Sequence, residues 1–435
     1  MDLALLGGEA VRRADWPAWP YACPETLRQV ESVLRGTKWT LTGQSRSHAR
    51  FDRDIRERWA EFVGTQFALP CSSGTAGLIM ALEALDISLG DEVIVPGLTW
   101  VACPHAVCTV GATPILVDID PATLCIDPQA IRQSITSRTK AILLVHAYCS
   151  VANLDDILAI CQSAKLHLIE DCSQAHGAAW RRRRVGSFGD VAVFSTHQSK
   201  LLSSGEGGLC CTDDEELYSR LQQARTDGRV YESEVAPGNW MSVRRVGARQ
   251  GRNFVMPEVS AALLVGGLRR LDEENERRSN NHTELGRRLD GIEGVSLVQS
   301  DSRVTQRSHW RLVLRIDTAS FADLELAQIG NAITAELGLP VEPFDTPLHA
   351  NALYQPLEMA PISRRPDSVD FAPDRFRLPN AELVSGTCLA APHFALLGSE
   401  SDIGDIARAV EKVQRHARTL SNHVSHRAIV PYGNT

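Results

Sequence analysis

The sequence lacks the closely spaced cysteine and histidine pairs that hold structural metal ions. It contains 11 cysteines but no Cys-x-x-Cys pair, and its histidines form no His-x-x-x-His pair. Ligand spacing therefore gives no support for a metal site. Most cysteines lie inside apolar runs, which is typical of small buried hydrophobic residues in a large chain. We expect no metal ion and no disulfide framework.

The sequence also lacks a surplus of basic charge and any long apolar run. The formal net charge is −8, which disfavours nucleic acid or an anionic membrane as a partner, because both attract a basic surface. No stretch reaches the length of an uncharged membrane span, and the first residues, MDLALLGGEA, place no basic segment before an apolar core. We expect a cytoplasmic protein that binds neither nucleic acid nor membrane.

Short, nearly continuous apolar runs dominate the first two thirds of the 435 residues. They are FALPC, DEVIVP, TPILVDID, KAILLVHAY, KLHLIEDC and DVAVFST, and helical stretches separate them. Strands that are apolar without alternation are buried on both faces, which is typical of a mainly parallel sheet covered by helices. The pattern predicts an α/β fold, whose ligands bind at the carboxyl ends of the strands.

The character of the chain changes after residue 256. Residues 257–290 predict one long amphipathic helix, and HWRLVLRID with helices over 323–337 and 401–416 is typical of a smaller α+β domain. We predict an N-terminal arm and a large domain over residues 1–265, then a linking helix and a small domain over residues 266–435. The arm, rich in Trp and Pro, would cover a cleft, reach a partner subunit or pack on its own domain.

Three groups of polar residues follow predicted strands. Ser72, Ser73, Gly74 and Thr75 open a helix, whose free N–H groups would bind a phosphate or simply be capped. Asp171 ends an apolar strand, where a carboxylate calls for a cation or acts as a structural cap. Gln174 and His176 follow Asp171 and would contact the same ligand or only line a loop.

Lys200 is the third feature. It lies in a small, polar loop between two strand-like runs, with Ser195 at the end of the preceding strand. A surface lysine is the usual case, but such an amine could also form a Schiff base if burial or a nearby positive charge lowers its pKa from about 10. A phosphate cradle, a carboxylate for a ring nitrogen and a Schiff-base lysine together indicate pyridoxal 5′-phosphate.

The order of these motifs resembles the DegT/DnrJ/EryC1/StrS family of sugar aminotransferases over almost the whole chain. The matching segments are SSGTAG, GDEVIVPGLTWVA, VDIDPATL, RTKAILLVHAY, IEDCSQAHGA, GSFGDVAVFST, SKLLSSGEGG and GRNFVMPEVSAALL. LALLGGEAVRR, WPAWP, HAYCSVANLDD and TDGRVY resemble the branch that aminates cyclitol ketones, with L-glutamine as donor, in aminoglycoside biosynthesis.

This resemblance implies a fold-type I transferase with a mostly parallel seven-stranded sheet, acting as a homodimer with shared active sites. It implies that Lys200 carries the cofactor as a Schiff base, that Asp171 pairs with its ring nitrogen and that Gln174 lies near its phenolic oxygen. The remaining implied cofactor-binding residues are Ser73, Gly74, Thr75 and Ser195 at the phosphate, Trp100 stacked on the ring, and Asn253 reaching the partner's phosphate.

Two departures from the family pattern concern the substrate. Val255 stands where many members have Arg, and Thr196, His197 and Gln198 replace the more usual residues before the lysine. The resemblance implies that L-glutamine or L-glutamate aminates a keto-cyclitol such as scyllo-inosose or 2-deoxy-scyllo-inosose, with His176, His197 and Gln198 near the substrate. The alternatives are an aminotransferase acting on a nucleotide-diphosphate ketosugar and a non-catalytic cofactor-binding regulator.

Overall fold

The computed structural model describes residues 2–43, 49–231 and 243–424. Its strands are β1 (Phe67–Cys71), β2 (Glu92–Pro96), β3 (Thr113–Val117), β4 (Thr139–Val145), β5 (His167–Asp171), β6 (Ala179–Trp180), β7 (Arg183–Arg184), β8 (Val191–Ser195), β9 (Gly208–Thr212), β10 (Arg229–Tyr231), β11 (Val243–Arg245), β12 (Val295–Leu297), β13 (Val304–Gln306), β14 (Arg311–Ile316), β15 (Glu342–Pro343) and β16 (Cys388–Pro392).

The α-helices are α1 (Pro24–Arg35), α2 (Arg50–Val63), α3 (Gly74–Ala84), α4 (Ala102–Thr109), α5 (Pro128–Ser134), α6 (Leu154–Ala164), α7 (Glu215–Arg225), α8 (Glu258–Leu268), α9 (Leu271–Leu289), α10 (Leu326–Leu337), α11 (Ala360–Ser363), α12 (Pro379–Thr387), α13 (Glu400–Arg415) and α14 (Ala417–Val424). Short 3₁₀ helices lie at Ala4–Leu6, Thr318–Phe321, Leu348–Ala350, Pro356–Glu358, Ser368–Phe371, Pro373–Arg375 and His393–Leu397. Among the helices of the described ranges, none has both the length and the apolar character needed to cross a bilayer.

The centre of the large domain is a seven-stranded sheet in the order β1-β9-β8-β5-β4-β2-β3. Strands β8, β5, β4, β2 and β3 are parallel, whereas β9 is antiparallel to both of its neighbours. The central strands are apolar without alternation because both faces are covered; Val93, Ile94 and Leu143 are completely buried. This confirms the predicted α/β fold with a mostly parallel sheet.

Strand register brings the first polar segments together. Gly208 of β9 pairs with Cys71 at the end of β1 on one side and with Ser195 at the end of β8 on the other. Helix α3 starts directly after β1, so its first turn lies beside Ser195. Because β5 is parallel to β8, its last residue, Asp171, is at the same edge of the sheet.

The small domain is built on a four-stranded antiparallel sheet in the order β12-β14-β16-β15. Helices α10 and α13 pack on it around a second hydrophobic core that includes Leu314, Ile333 and Val410. Helix α13 begins with a capping box in which the side chains of Ser399 and Asp402 each accept the other's backbone N–H. The α+β character predicted for this domain is confirmed.

The single long helix predicted over residues 257–290 is wrong. The chain forms α8 and α9 instead, which are separated at Arg269 and Arg270. Gly266 and Gly267 precede the break, and glycine is a poor residue for a helix interior. A Cβ at Gly266 would lie 2.1 Å from Oγ1 of Thr26, so the lack of a side chain permits the close packing of α1 on α8.

The N-terminal arm packs on its own chain. Arg12 forms ion pairs with Asp402 at 2.5 Å and Asp405 at 2.9 Å in the small domain. Further along the arm, the indole nitrogen of Trp19 donates a hydrogen bond of 2.8 Å to the carbonyl of Gln198, two residues before Lys200. The arm therefore connects the small domain to the loop that carries the lysine.

Candidate active site

A cavity of about 450 Å³ opens at the carboxyl edge of the large sheet, between that sheet and the small domain. The predicted site residues that line it are Ser73, Gly74, Thr75, Trp100, Asp171, Gln174, Ser195, His197 and Lys200. They come from four separate segments between residues 73 and 200, and the sheet register brings these segments together. Residues that are scattered in sequence thus share one pocket.

One end of the cavity is formed by small residues. Ser73 caps helix α3, and its Oγ accepts the N–H of Ala76 at 3.0 Å. A Cβ on Gly74 would lie 2.8 Å from Cβ of Ser195, and one on Gly208 would lie 2.6 Å from the carbonyl oxygen of Ser73. Glycine at both positions lets three backbone segments meet, so that the helix N-terminus opens beside the hydroxyl of Ser195.

Lys200 lies in a loop that is closed by backbone hydrogen bonds. Thr196 N–H donates to the carbonyl of Gly207 at 2.9 Å, and Gln198 N–H donates to that of Gly205 at 2.8 Å. The amine Nζ of Lys200 lies 3.9 Å from the centre of the Trp310 ring. The Trp310 indole in turn donates a 2.8 Å hydrogen bond to the Ser199 carbonyl, which fixes the ring beside the amine.

Burial changes the acidity of this amine. Part of the Lys200 residue is accessible, but protein surrounds its Nζ, and this desolvation lowers the pKa of Lys200 to about 8. The negative charge of Asp171 opposes the shift, while the positive charge of Arg311 adds to it. A substantial fraction of the amine is therefore neutral near physiological pH, which a nucleophile or a base requires.

Asp171 presents its carboxylate to the cavity while only 6% of the residue is exposed. Its Oδ2 accepts a hydrogen bond from the thiol of Cys103 at 3.1 Å, and its Oδ1 accepts the N–H of Ser173 at 2.9 Å. No Arg, Lys or His of the described ranges forms an ion pair with it. A buried carboxylate that forms no ion pair with the described residues is suited to receive a positively charged group of a ligand.

The neighbouring Glu170 holds this strand end from the other face of the sheet. Its carboxylate accepts the N–H groups of Gly186, Phe188 and Gly189 at 2.7 to 2.9 Å and lies 3.2 Å from Nε2 of His146. These hydrogen bonds hold the pKa of Glu170 below its usual value despite complete burial. These contacts anchor the end of β5, which carries Asp171.

Gln174 takes part in a turn beside the cavity. Its Oε1 accepts the N–H of Tyr148, a residue with φ of +56°. The Tyr148 ring stacks on Phe344 at 4.1 Å and its hydroxyl donates to Asp345 at 3.4 Å. A side-chain hydrogen bond thus supports a backbone conformation that non-glycine residues seldom adopt, and it ties Gln174 to the small domain.

Comparison with known proteins decides the family. Residues 21–391 match the DegT/DnrJ/EryC1/StrS aminotransferase family. The L-glutamine:2-deoxy-scyllo-inosose aminotransferase of Streptoalloteichus tenebrarius is 42% identical over 96% of this chain and 98% of its own length. The L-glutamine:scyllo-inosose aminotransferase of Streptomyces griseus is 39% identical over 97% and 99%.

The chain belongs to the DegT/DnrJ/EryC1/StrS aminotransferase family. Among solved structures, it is similar to 3-amino-5-hydroxybenzoic acid synthase, with a TM-score of 0.78, 28% identity, and coverage of 92% of this chain and 99% of that one. The fold-type I architecture and the aminotransferase activity predicted from the sequence are confirmed.

In this aminotransferase the cavity also contains residues that sequence patterns did not indicate. They are Leu78, Thr99, Ala102, Cys103, Ser173, Ser199, Glu206, Trp310, Arg311 and Asp345. Ser173 and Ser199 follow the ends of β5 and β8 closely, so their positions in the sequence already place them near the site. Trp310, Arg311 and Asp345 come from the small domain, and no local pattern places them opposite the lysine.

Three predicted residues lie outside the lining of the cavity. His176 is completely buried and packs between the rings of Trp59 and Phe194, which lowers its pKa to about 3 through desolvation. Gln198 uses its carbonyl to accept the Trp19 hydrogen bond. Asn253 is exposed and pairs with Thr226 through a backbone bridge, so its predicted role at a partner's phosphate stays a prediction.

Proposed function

We propose that this aminotransferase uses pyridoxal 5′-phosphate to transfer the amino group of L-glutamine to a keto-cyclitol in aminoglycoside biosynthesis. The acceptor would be scyllo-inosose or 2-deoxy-scyllo-inosose. One observation carries the proposal: an amine of lowered pKa, a buried carboxylate that forms no ion pair with the described residues and a helix N-terminus beside a serine share one cavity. The relatives that use such acceptors match nearly the full chain at 39–42% identity.

The small-residue end of the cavity fits a phosphate. The backbone N–H groups at the start of α3 and the hydroxyls of Thr75 and Ser195 are donors, and an anion is favoured at a helix N-terminus. The space exists because Gly74 has no side chain; a Cβ there would press on Ser195 at 2.8 Å. Ser73, Gly74, Thr75 and Ser195 would hold the phosphate group.

Other residues that line the cavity fit the ring of the cofactor. Asp171 would accept a hydrogen bond from the protonated ring nitrogen, Gln174 would lie near the phenolic oxygen, and Trp100, which is 52% exposed at the cavity wall, would cover the ring. When bound, the cofactor supplies an electron sink for the bond that breaks at the amino donor's Cα. The charge of Asp171 keeps that ring nitrogen protonated.

Lys200 would first hold the cofactor and then move protons. Once the donor replaces it, the neutral amine can take the proton from the donor's Cα and later return one on the acceptor side. Burial prepares it for both tasks, because a pKa of about 8 allows either protonation state near neutral pH. The Trp310 ring beside Nζ would keep bulk water away from the transferred proton.

The remaining lining of the cavity suits a polyhydroxylated ring. His197 and Ser199 are hydrogen-bonded to each other at 2.9 Å, and Glu206 lies 3.8 Å from the other ring nitrogen of His197. With Asp345, these side chains offer donors and acceptors to a ligand in the cavity. Hydroxyl groups of an uncharged acceptor can be bound by such groups without an ion pair.

We also infer that the enzyme acts as a cytoplasmic homodimer. Two observations support an interface close to the site: Trp100 is a large apolar residue that is half exposed at the wall of the cavity, and Asn253 is exposed on the same domain. A partner subunit that packs on this face would remove the apolar surface of Trp100 from water. In this arrangement Asn253 of one protomer would approach the phosphate site of the other.

The proposal is tested by incubating the purified enzyme with pyridoxal 5′-phosphate, L-glutamine and one acceptor at a time. We expect aminated product by mass spectrometry with scyllo-inosose or 2-deoxy-scyllo-inosose, and none when a dTDP-ketosugar is the acceptor. Omission of the donor is the matched control. Turnover of the nucleotide sugar alone would replace the cyclitol assignment, and no product with any acceptor and donor would contradict the proposed reaction.

The lowered pKa of Lys200 predicts how cofactor capture depends on pH. The neutral amine reacts, and its fraction rises about tenfold per pH unit until pH passes the pKa. The second-order rate of capture by cofactor-free protein should therefore rise up to about pH 8 and level off above it. Stopped-flow absorbance measures this rate. A rate that still rises steeply near pH 10, as for an exposed lysine, would contradict the assigned environment.

A further inference from the structure

One cation in the cavity has no assigned function. Arg311 is the first residue of β14 and reaches the cavity from the small domain. Its guanidinium carbon lies 4.9 Å from the centre of the Trp310 ring, and the same ring lies 3.9 Å from Nζ of Lys200. Arg311 and Lys200 therefore border the same small region, with one indole ring as their shared neighbour.

Arg311 forms no ion pair with any carboxylate of the described residues. It is only partly accessible, and burial lowers its pKa although Glu342, Asp345 and Tyr148 oppose that shift from a distance. Other arginines near the ends of described strands are paired: Arg138 with Glu92 at 2.5 Å and Arg184 with Asp272 at 2.7 Å are examples. A partly desolvated guanidinium without a carboxylate is prepared to receive an anion.

This anion differs from the phosphate of the proposed cofactor. The groups that would hold the phosphate belong to α3 and β8 of the large domain, whereas Arg311 belongs to the antiparallel sheet of the small domain. The cyclitol acceptor carries no charge. The remaining anion of the reaction is the α-carboxylate of the amino donor, which is one bond from the Cα whose proton Lys200 removes.

We propose that Arg311 binds the α-carboxylate of the amino donor and so directs the donor's Cα–H bond towards Lys200. This inference rests on the proposed function, because it requires an α-amino acid donor. The planar fork of a guanidinium can bind both carboxylate oxygens at once, which sets the orientation of the donor as well as its affinity. The donor could then leave and the uncharged acceptor enter the same space.

The test separates donor binding from the rest of the reaction. α-Methyl-L-glutamine lacks the α-hydrogen and cannot be turned over, so its dissociation constant from the cofactor-loaded enzyme reports binding alone. In Arg311→Gln we expect this constant to rise on the order of 10²-fold, as for loss of a charged hydrogen-bonded pair, and to recover partly in Arg311→Lys. Arg315→Gln is the control: Arg315 lies on the same strand but donates to the carbonyls of Pro121 and Ala122.

A second measurement uses ligands without the carboxylate. The rate at which scyllo-inosamine converts the cofactor-loaded enzyme to its aminated form should change less than threefold in Arg311→Gln, and 4-aminobutanamide, which is glutamine without its carboxylate, should bind wild type and variant equally. If Arg311→Gln impaired the binding of α-methyl-L-glutamine, the binding of 4-aminobutanamide and the reaction with scyllo-inosamine by the same factor, Arg311 would act through Lys200. That result would overturn the inference. An unchanged dissociation constant for α-methyl-L-glutamine would overturn it as well.

Failure of the proposed function has a different appearance. In that case, no α-amino acid donor would bleach the absorbance of the cofactor bound to the wild-type enzyme. Both the proposed function and the assignment of Arg311 would then be wrong. If Arg311→Gln instead lost turnover of a dTDP-ketosugar while α-methyl-L-glutamine bound normally, the anion at Arg311 would be a diphosphate. That outcome would overturn the assignment to the donor carboxylate and leave the wild-type transamination intact.

Discussion

Lys200→Ala is expected to lower the rate of amino transfer at least about 10⁴-fold, because in the proposed reaction this one side chain would hold the cofactor and move the proton in both half-reactions. Overall turnover with L-glutamine and scyllo-inosose measures the loss. The amine lies in a loop closed by its own backbone hydrogen bonds, so its removal should leave the fold intact. The cofactor should still bind, without the covalent link that hydride reduction detects in the wild type.

Two variants make this result specific. Lys140→Ala removes an exposed lysine and should retain full activity. Added methylamine should restore a measurable part of the rate in Lys200→Ala, because a small amine can occupy the space beside Trp310 and accept the same proton. Retained turnover in Lys200→Ala without any added amine would refute the assignment of the lysine.

We expect Asp171→Asn to lower kcat about 10²- to 10⁴-fold while the cofactor remains bound, because electrostatic stabilisation by a fixed charge is among the largest contributions to catalysis. Asparagine keeps the size of the side chain, and its Oδ1 can still accept the N–H of Ser173, while its Nδ2 would face Cys103 as a donor. The charge that would hold the ring nitrogen protonated is removed. Single-turnover kinetics with L-glutamine should show the loss in the chemical step.

The same substitution has an effect of known sign on the lysine. The charge of Asp171 raises the pKa of Lys200 against the lowering by burial, so Asp171→Asn should move that pKa below about 8. The plateau of cofactor capture would then begin at lower pH. Asp323→Asn is the control, because it makes the same substitution at an exposed carboxylate outside the lining of the cavity. Full activity of Asp171→Asn would show that the carboxylate has only a structural function.

Much of the fold could be predicted because local pattern and tertiary environment agree. The runs at β2, β4 and β5 have apolar centres without alternation, such as Val93–Val95 and Ala141–Val145, and burial on both faces is the physical cause. Polar residues directly after such strands, Asp171 and Ser195 among them, then fall at one edge of the sheet. The part of the cavity on the large domain follows from that rule and from the order of the motifs.

The rest depends on contacts between distant segments. Arg311 and Asp345 lie more than 100 residues from Lys200 in sequence, and only the packing of the small domain against the large sheet brings them into the cavity. His176 shows the converse: two residues after Gln174, it turns into the core between aromatic rings. The break between α8 and α9 also reflects tertiary packing, since Gly266 accommodates a neighbouring helix.

The register of Cys71, Gly208 and Ser195 on three adjacent strands has a thermodynamic consequence. A phosphate bound by the first turn of α3 and by Ser195 spans β1 and β8 across β9. Any opening of this edge of the sheet would separate the groups that hold the ligand. A cofactor that binds only the closed sheet shifts the equilibrium between the open and closed sheet towards the closed form by mass action. The fraction of enzyme with an intact sheet edge would therefore depend on the cofactor concentration. Cells short of the cofactor would hold a larger population of opened, protease-sensitive enzyme.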